Sequence, residues 1–265
     1  MIPVTPTDEP STRDRQTSRL ARLDQKVAGV MIPLFSIRTK QNFGCGEILD
    51  LIPFMDWMTT HHLRVLQILP IYETAPNETS PYQALSSFAI DPAYLSVSGA
   101  HVFQDNVDIE DCLASETMRH DLAEWQSRDR VDLKPIRALK YRLLKLAFFK
   151  FKHEEWDQKT PQARAFQEFI DEKSVWLNDY ALFWQLKEKH QWAHWCTWPI
   201  PFQHRNREAL DPFEEEAAEG ILFIKYVQWI LSSQWSGVSA RAKAHHMNIM
   251  GDVPFLVSQD SADVR

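Results

Sequence analysis

Two short apolar runs, GVMIPLFSI at 29–37 and RVLQILPI at 64–71, bracket a stretch with helical spacing, and this arrangement constrains the chain more than any other feature. Runs this short and this free of polar residues predict strands buried on both faces, as in parallel sheets flanked by helices. Between them, residues 47–62 place Ile48, Leu51, Ile52, Met55 and Met58 three to four apart. Glu47 comes early in that stretch and His61 and His62 come late, as the helix dipole favours. Strand, helix, strand in this order is a parallel crossover unit, which folds right-handed. A third apolar run, MNIMGDVPFLV at 247–257, predicts another strand. The fold class expected is therefore α/β.

The remaining segments divide around these strands. Residues 1–26 are polar with Pro3, Pro6 and Pro10 spaced through them and read as an N-terminal arm. Residues 27–100 hold the first two strand–helix units and a long loop. Residues 101–212 read as a mainly helical insertion, with stripes such as Ile136, Leu139, Leu143, Leu146 and later Phe166, Phe169, Ile170, until Pro199 and Pro201 stop the pattern. Residues 213–265 supply a further helix and the third strand. Glu214, Glu215 and Glu216 read as the acidic first turn of that helix, His245 and His246 as its end, and Gly237 as a point where it can break.

Composition narrows the chemistry. Seven glycines in 265 residues is about 3%, under half the usual share, and Gly44 and Gly46 form the one close pair, so neither a dinucleotide fingerprint nor a Walker loop can be written. A formal charge of −7 opposes a phosphate backbone, so no nucleic-acid partner is expected. Cys45, Cys112 and Cys196 are odd in number and far apart, which fits reduced thiols in a cytoplasmic protein. No apolar run approaches a membrane span or a secretory signal, so no membrane partner is expected either.

In parallel α/β folds, ligand chemistry collects at the C-terminal ends of the strands, here residues 36–46, 72–91 and 251–263. The second of these contains Ser80-Pro81-Tyr82-Gln83, with Asn77, Glu78 and Thr79 before it and Phe88 and Asp91 after it. An aromatic ring beside hydroxyl and amide groups suits a sugar, whose C–H face lies on the ring while its hydroxyls take hydrogen bonds. The competing reading is a loop whose Ser and Asn side chains cap their own backbone. Asp252 follows Gly251 and precedes Pro254, which places a carboxylate on a stiff strand end, although such groups are often turn caps. Asp260, Ser261 and Asp263 read as the N-cap and first turn of a following helix. His190 and His194 are four apart, but Gln191 stands where a zinc motif needs Glu, so no metal is expected. The tryptophans at 176, 184, 192, 195 and 198 read as the core of the helical insertion, with stacking platforms for sugar as the alternative.

Four ordered blocks carry a resemblance. GVMIPLFSIRTKQNFGCGEILDL, LQILPIYETAPNETSPYQALSSFAIDPAYLS, WLNDYALFWQLK with the later WCTWP, and MGDVPFLVSQDSADV together resemble the amylomaltase or disproportionating-enzyme family of 4-alpha-glucanotransferases in the alpha-amylase clan. The resemblance implies an incomplete (β/α)8 TIM barrel, comprising about its first three strands, with a large helical insertion. It implies retaining transfer of alpha-1,4-glucan between maltooligosaccharides, without a cofactor. It matches Ser80, Tyr82 and Asp252 to substrate-binding positions, and Trp176, Asp179 and Tyr180 to a structural helix. Where family members commonly read GIGD, this chain has Gly44-Cys45-Gly46-Glu47. The family's nucleophile and its acid and base come from later strands, so none of the carboxylates up to Arg265 is expected to be catalytic. The alternative expectation is an alpha-glucan-binding fragment without turnover.

Overall fold

A computed structural model describes residues 26–98, 101–253 and 256–265. The expected arm 1–26, apart from Lys26, and the stiffening role of Pro254 lie outside the described residues. Three strands, β1 (Gly29–Met31), β2 (Val65–Gln67) and β3 (Asn248–Met250), form one sheet in the order β1-β2-β3, parallel throughout. Val30, Leu66 and Ile249 stand side by side in its central row. The helices are α1 (Leu51–Thr60), α2 (Val107–Ala114), α3 (Glu116–Ser127), α4 (Leu133–Phe151), α5 (Pro161–Glu172), α6 (Ser174–Lys189), α7 (Ile200–Gln203), α8 (Arg207–Glu216) and α9 (Ala218–Ala244).

The strands are shorter than their apolar runs, and after β1 and β2 a proline closes the extended stretch. Pro33 has no N–H to give the ladder, so after Ile32 donates to the Gln67 carbonyl at 2.9 Å the chain turns into a 3₁₀ turn, Leu34–Ser36. After β2, Ile68 still donates to Met250, and Pro70 then separates the sheet from the loop that follows.

The expectation of strands buried on both faces is corrected. Leu66 is buried against the core, flanked by the half-buried Val30 and Ile249, but the alternate positions look the other way, where Met31 is 67% and Met250 50% exposed. Side chains alternate across a strand, and α1 and α9 pack on one side only. The main core therefore lies between that covered face and α1, α4 and α9, with Met55, Leu143, Phe148, Tyr226 and Leu231 fully buried.

Two further corrections concern helices. Glu214, Glu215 and Glu216 close α8 instead of opening α9, because the N-cap is Asn206, whose side chain accepts from Glu208 N at 2.8 Å. Gly237 does not interrupt α9, which runs from Ala218 to Ala244. Gly237 is exposed and Val238 beside it is buried, so packing outweighs the cost of about 1 kcal/mol for a helical glycine. The helical insertion opens at Val107, capped by Asn106.

The loop after β1 is pinned by close backbone approach. Gly44 has φ +83°, and a Cβ there would sit 2.5 Å from the Trp125 carbonyl; one on Gly46 would sit 1.9 Å from the Leu34 carbonyl. Cys45 between them is fully buried, and that burial pushes its thiol up to about 12. Glu47 begins the 3₁₀ turn leading into α1. Its carboxylate lies 2.8 Å from the buried Lys140 Nζ, which also donates to the Ala93 carbonyl at 2.7 Å.

Candidate functional site

The loop 72–91 leaves the C-terminal end of β2 as a narrow antiparallel ribbon. Tyr72 bridges Ile90, Thr74 bridges Ala84, Glu73 N donates to the Ala89 carbonyl at 2.9 Å, and Leu85 N donates to the Glu73 carbonyl at 2.7 Å. At its tip Glu78 accepts from the N–H groups of Thr79 and Ser80 at 2.8 and 2.7 Å, and Ser80 Oγ accepts from Tyr82 N at 3.4 Å. The tip does cap its own backbone, so the bland reading of this segment holds locally. It does not account for the Tyr82 side chain.

Tyr82 is 39% exposed, and its hydroxyl donates to Asp252 Oδ2 at 2.8 Å. Asp252 comes two residues after β3, so this bond ties the loop after β2 to the end of β3 across 170 residues of sequence. It also holds the Tyr82 phenol above its ordinary pKa, because ionisation would break the bond and set a second negative charge against the carboxylate. The structure thus brings Tyr82 and Asp252 together, with Ser80 joined to them through the Tyr82 backbone.

Two clefts lie along this loop, one reaching Asp252 and the other residues 76–79, and neither is lined by Ser80 or Tyr82. One of about 330 Å³ runs along 68–72 to Asp252, with Phe88, Trp176, Trp235 and Lys173 in its walls. Phe88 and Trp176 stack there at 5.7 Å and 19°. The other, about 650 Å³, is more charged and is lined by Phe35, Arg38, Asn77, Glu78, Thr79 and Arg130. Trp176, for which the sequence favours a core role with a sugar-stacking platform as the alternative, lines a cleft that reaches Asp252. Its four-residue spacing from Tyr180 signals a helix face and says nothing about that location.

The root of the ribbon is buried and polar. Glu73, 1% exposed, accepts from Tyr141 Oη at 2.6 Å and Trp184 Nε1 at 3.1 Å on one oxygen, and from Tyr180 Oη on the other. Burial, reinforced by nearby Asp91, pushes its carboxyl up to about 7. At the other limb, Arg137 grips Asp91 through Nε at 2.9 Å and through Nη2, which also donates to Thr74 Oγ1 at 3.0 Å. No motif pointed to Glu73.

Asp260 and Asp263 do not cap a helix here: residues 261–264 make only a turn, and both carboxylates bond to distant partners. Asp260 accepts from the buried Lys187 Nζ at 2.6 Å and from Trp195 N, while Asp263 accepts from Ser86 Oγ and Ser87 N, fastening 258–265 to the ribbon and the helical insertion. The backbone at Ser261 makes that turn, its carbonyl accepting from Val264 and Arg265. His190 and His194 serve separate partners. His190 stacks on Trp198 at 5.1 Å, its pKa lowered by burial, and His194 Nδ1 accepts from Cys196 N. Trp184 and Trp198 are buried in the second core, as the core reading expects. Cys45, Cys112 and Cys196 are unpaired.

Comparison with known proteins gives a match to the 4-alpha-glucanotransferase family over residues 32–265. The chain belongs to that family. It is 31% identical over 237 residues to a 4-alpha-glucanotransferase of Chlamydia pneumoniae, covering 89% of this chain and 42% of that protein. It is 35% identical over 202 residues to the one from Thermus thermophilus, covering 76% and 37%. Its fold resembles the amylomaltase from Streptococcus agalactiae in complex with acarbose, with a TM-score of 0.71 at 22% identity over 90% of this chain and 45% of that one. The amylomaltase from Corynebacterium glutamicum gives 0.69 at 22% identity, over 93% and 33%. The chain therefore spans less than half the length of these relatives. No described helix is long and apolar enough to cross a membrane.

Proposed function

We propose that this chain forms the glucan-holding N-terminal part of a 4-alpha-glucanotransferase, in which Ser80, Tyr82 and Asp252 contact glucose units beside the bond to be cleaved. The observation that carries this reading is the Tyr82–Asp252 hydrogen bond, because it joins two strand ends into one element where parallel α/β folds bind their ligands. On this reading β1, β2 and β3 are successive strands of an incomplete (β/α)8 barrel. Their sequential parallel order and their uncovered face, with Met31 and Met250, suit the inner wall of such a barrel.

The partly exposed Tyr82 ring offers its face to a pyranose, and the free oxygen of Asp252 and the Ser80 hydroxyl remain to take sugar hydroxyls. The substrate class is maltooligosaccharides and other alpha-1,4-glucans. Retaining transfer exchanges one glycosidic bond for another through a covalent glucosyl-enzyme intermediate and needs two carboxylates about 5–5.5 Å apart. Asp252 accepts the Tyr82 hydroxyl, and its role on this reading is to bind. The bond-breaking pair is assigned to the part of the family's length that this sequence does not span. Three unpaired thiols suit a reducing, cytoplasmic setting.

Calorimetric titration with maltoheptaose tests the reading. Binding is expected, and Tyr82→Ala should weaken it by about 1–3 kcal/mol, the usual cost of truncating an aromatic anchor. An unchanged dissociation constant in that variant, or no binding by the parent chain, would overturn it.

A further inference from the structure

We propose that Glu73 is a positioning residue for glucan binding. By gathering the hydroxyls of Tyr141 and Tyr180 and the indole N–H of Trp184 onto one buried carboxylate, it locks the root of the 72–91 ribbon to α4 and α6 and so holds Tyr82 opposite Asp252. The inference rests on the function proposed above and adds a residue that touches no sugar.

The geometry is specific to this position. The Glu73 backbone pairs with the returning limb in both directions, its N–H to Ala89 and its carbonyl from Leu85. Its side chain turns away from the tip into the helical insertion. There Tyr141 comes from α4, and Tyr180 and Trp184 from successive turns of α6, so three donors converge on two oxygens. Among the described residues no cation forms a salt bridge with this carboxylate. Arg137, whose charge acts on it, is committed to Asp91 and Thr74. A buried acid without its own counter-ion is an expensive way to fill space, and an apolar side chain of the same size would pack with less penalty. What the acid adds is a single register. A slip of the ribbon by one residue would leave the carboxylate without donors and three buried donors without an acceptor.

Tyr82 lies nine residues further along the same ribbon, and its hydroxyl must arrive within hydrogen-bond reach of Asp252. A site whose supporting groups are loose loses that geometry even when its contact residues are intact. Trp176, one turn before Tyr180 on α6, lines the cleft beside Asp252, so the same helix that receives Glu73 also forms a wall of the site.

Two substitutions separate positioning from bulk stability. In Glu73→Gln the amide oxygen can still accept from Tyr141 and Trp184, and the amide nitrogen can donate to Tyr180, whose hydroxyl proton turns aside. In Glu73→Leu the volume remains but all three donors lose their acceptor. The measurements are hydrogen exchange at the Leu85 and Gln83 amides, with α9 amides as reference, and the dissociation constant for maltoheptaose, all on the full chain. Glu73→Leu should speed loop exchange and weaken binding by about tenfold or more, the size of one to two lost hydrogen bonds, while α9 keeps its protection; Glu73→Gln should stay within about threefold in both. Should Glu73→Leu fail to fold, Tyr180→Phe, which removes one donor, should show the same pattern at about threefold. The proposal is overturned if loop exchange and binding stay at parent values in Glu73→Leu, if α9 loses protection in step with the loop, or if Gln fails to rescue. No binding by the parent chain would instead refute the glucan reading, and loop exchange would still decide whether Glu73 holds the ribbon.

Discussion

The root and the tip of the 72–91 ribbon are built on opposite plans. At the root, Glu73, Thr74 and Asp91 are buried, and their side chains hydrogen-bond to side chains from α4 and α6. At the tip, Ser80 and Tyr82 are partly exposed, their backbone is capped by the tip's own residues, and the long-range bonds are two exposed ones, Tyr82 to Asp252 just past β3 and Lys134 of α4 to Asn77. The difference teaches where rigidity comes from. The helical insertion supplies the stiffness, and the tip, with few commitments of its own, keeps surface available for a ligand.

The largest effect should come from the root. Arg137→Ala strands the Asp91 carboxylate in the interior and should cost about 3–5 kcal/mol, as breaking a buried pair does. Tyr82→Phe at the tip should change stability by no more than about 0.5 kcal/mol, as exposed substitutions do. Denaturant unfolding of both variants checks the order, and a tip substitution that costs as much as the root one would erase the contrast.

A smaller effect concerns pH. Glu73 keeps its proton up to about 7 in the folded chain, against an ordinary value of 4.5. Between those limits the folded state binds more protons than the unfolded one, so stability contributed here is present below the lower value and falls as pH rises toward 7. Glu73→Gln should flatten that slope in unfolding free energy measured from pH 4 to 8. An identical slope in the variant would show that the root does not titrate as described.

The smallest effect is at the tip. Asp252→Asn should lower the Tyr82 phenol pKa toward the ordinary value, since the carboxylate that raises it is gone. Ultraviolet difference titration against Tyr82→Phe isolates that phenol, and an unmoved pKa would mean the bond does not persist in solution.

Much of this arrangement was legible in the residues. The paired apolar runs and the helical stripe between them yielded the parallel crossover, and a loop too polar for core and too long for a simple connector marked the candidate site. Strand length was overestimated because an apolar run looks the same whether or not Pro33 withdraws it from the ladder. The acidic triplet 214–216 misled because the dipole argument favours acids at a helix start, whereas here the Asn206 cap sets the boundary. Glu73 was invisible for a different reason. Its donors lie 68, 107 and 111 residues away, and no local pattern signals a carboxylate that will be buried by tertiary packing.

The central claim is that the loop after β2 and the end of β3 act as one sugar-binding element. A double-mutant cycle with Tyr82→Phe and Asp252→Asn, read as maltoheptaose dissociation constants, tests it most directly. The account predicts a coupling of at least about 0.5 kcal/mol between the two positions, the lower bound for residues in contact. Additive losses, or no loss in either variant, would contradict it.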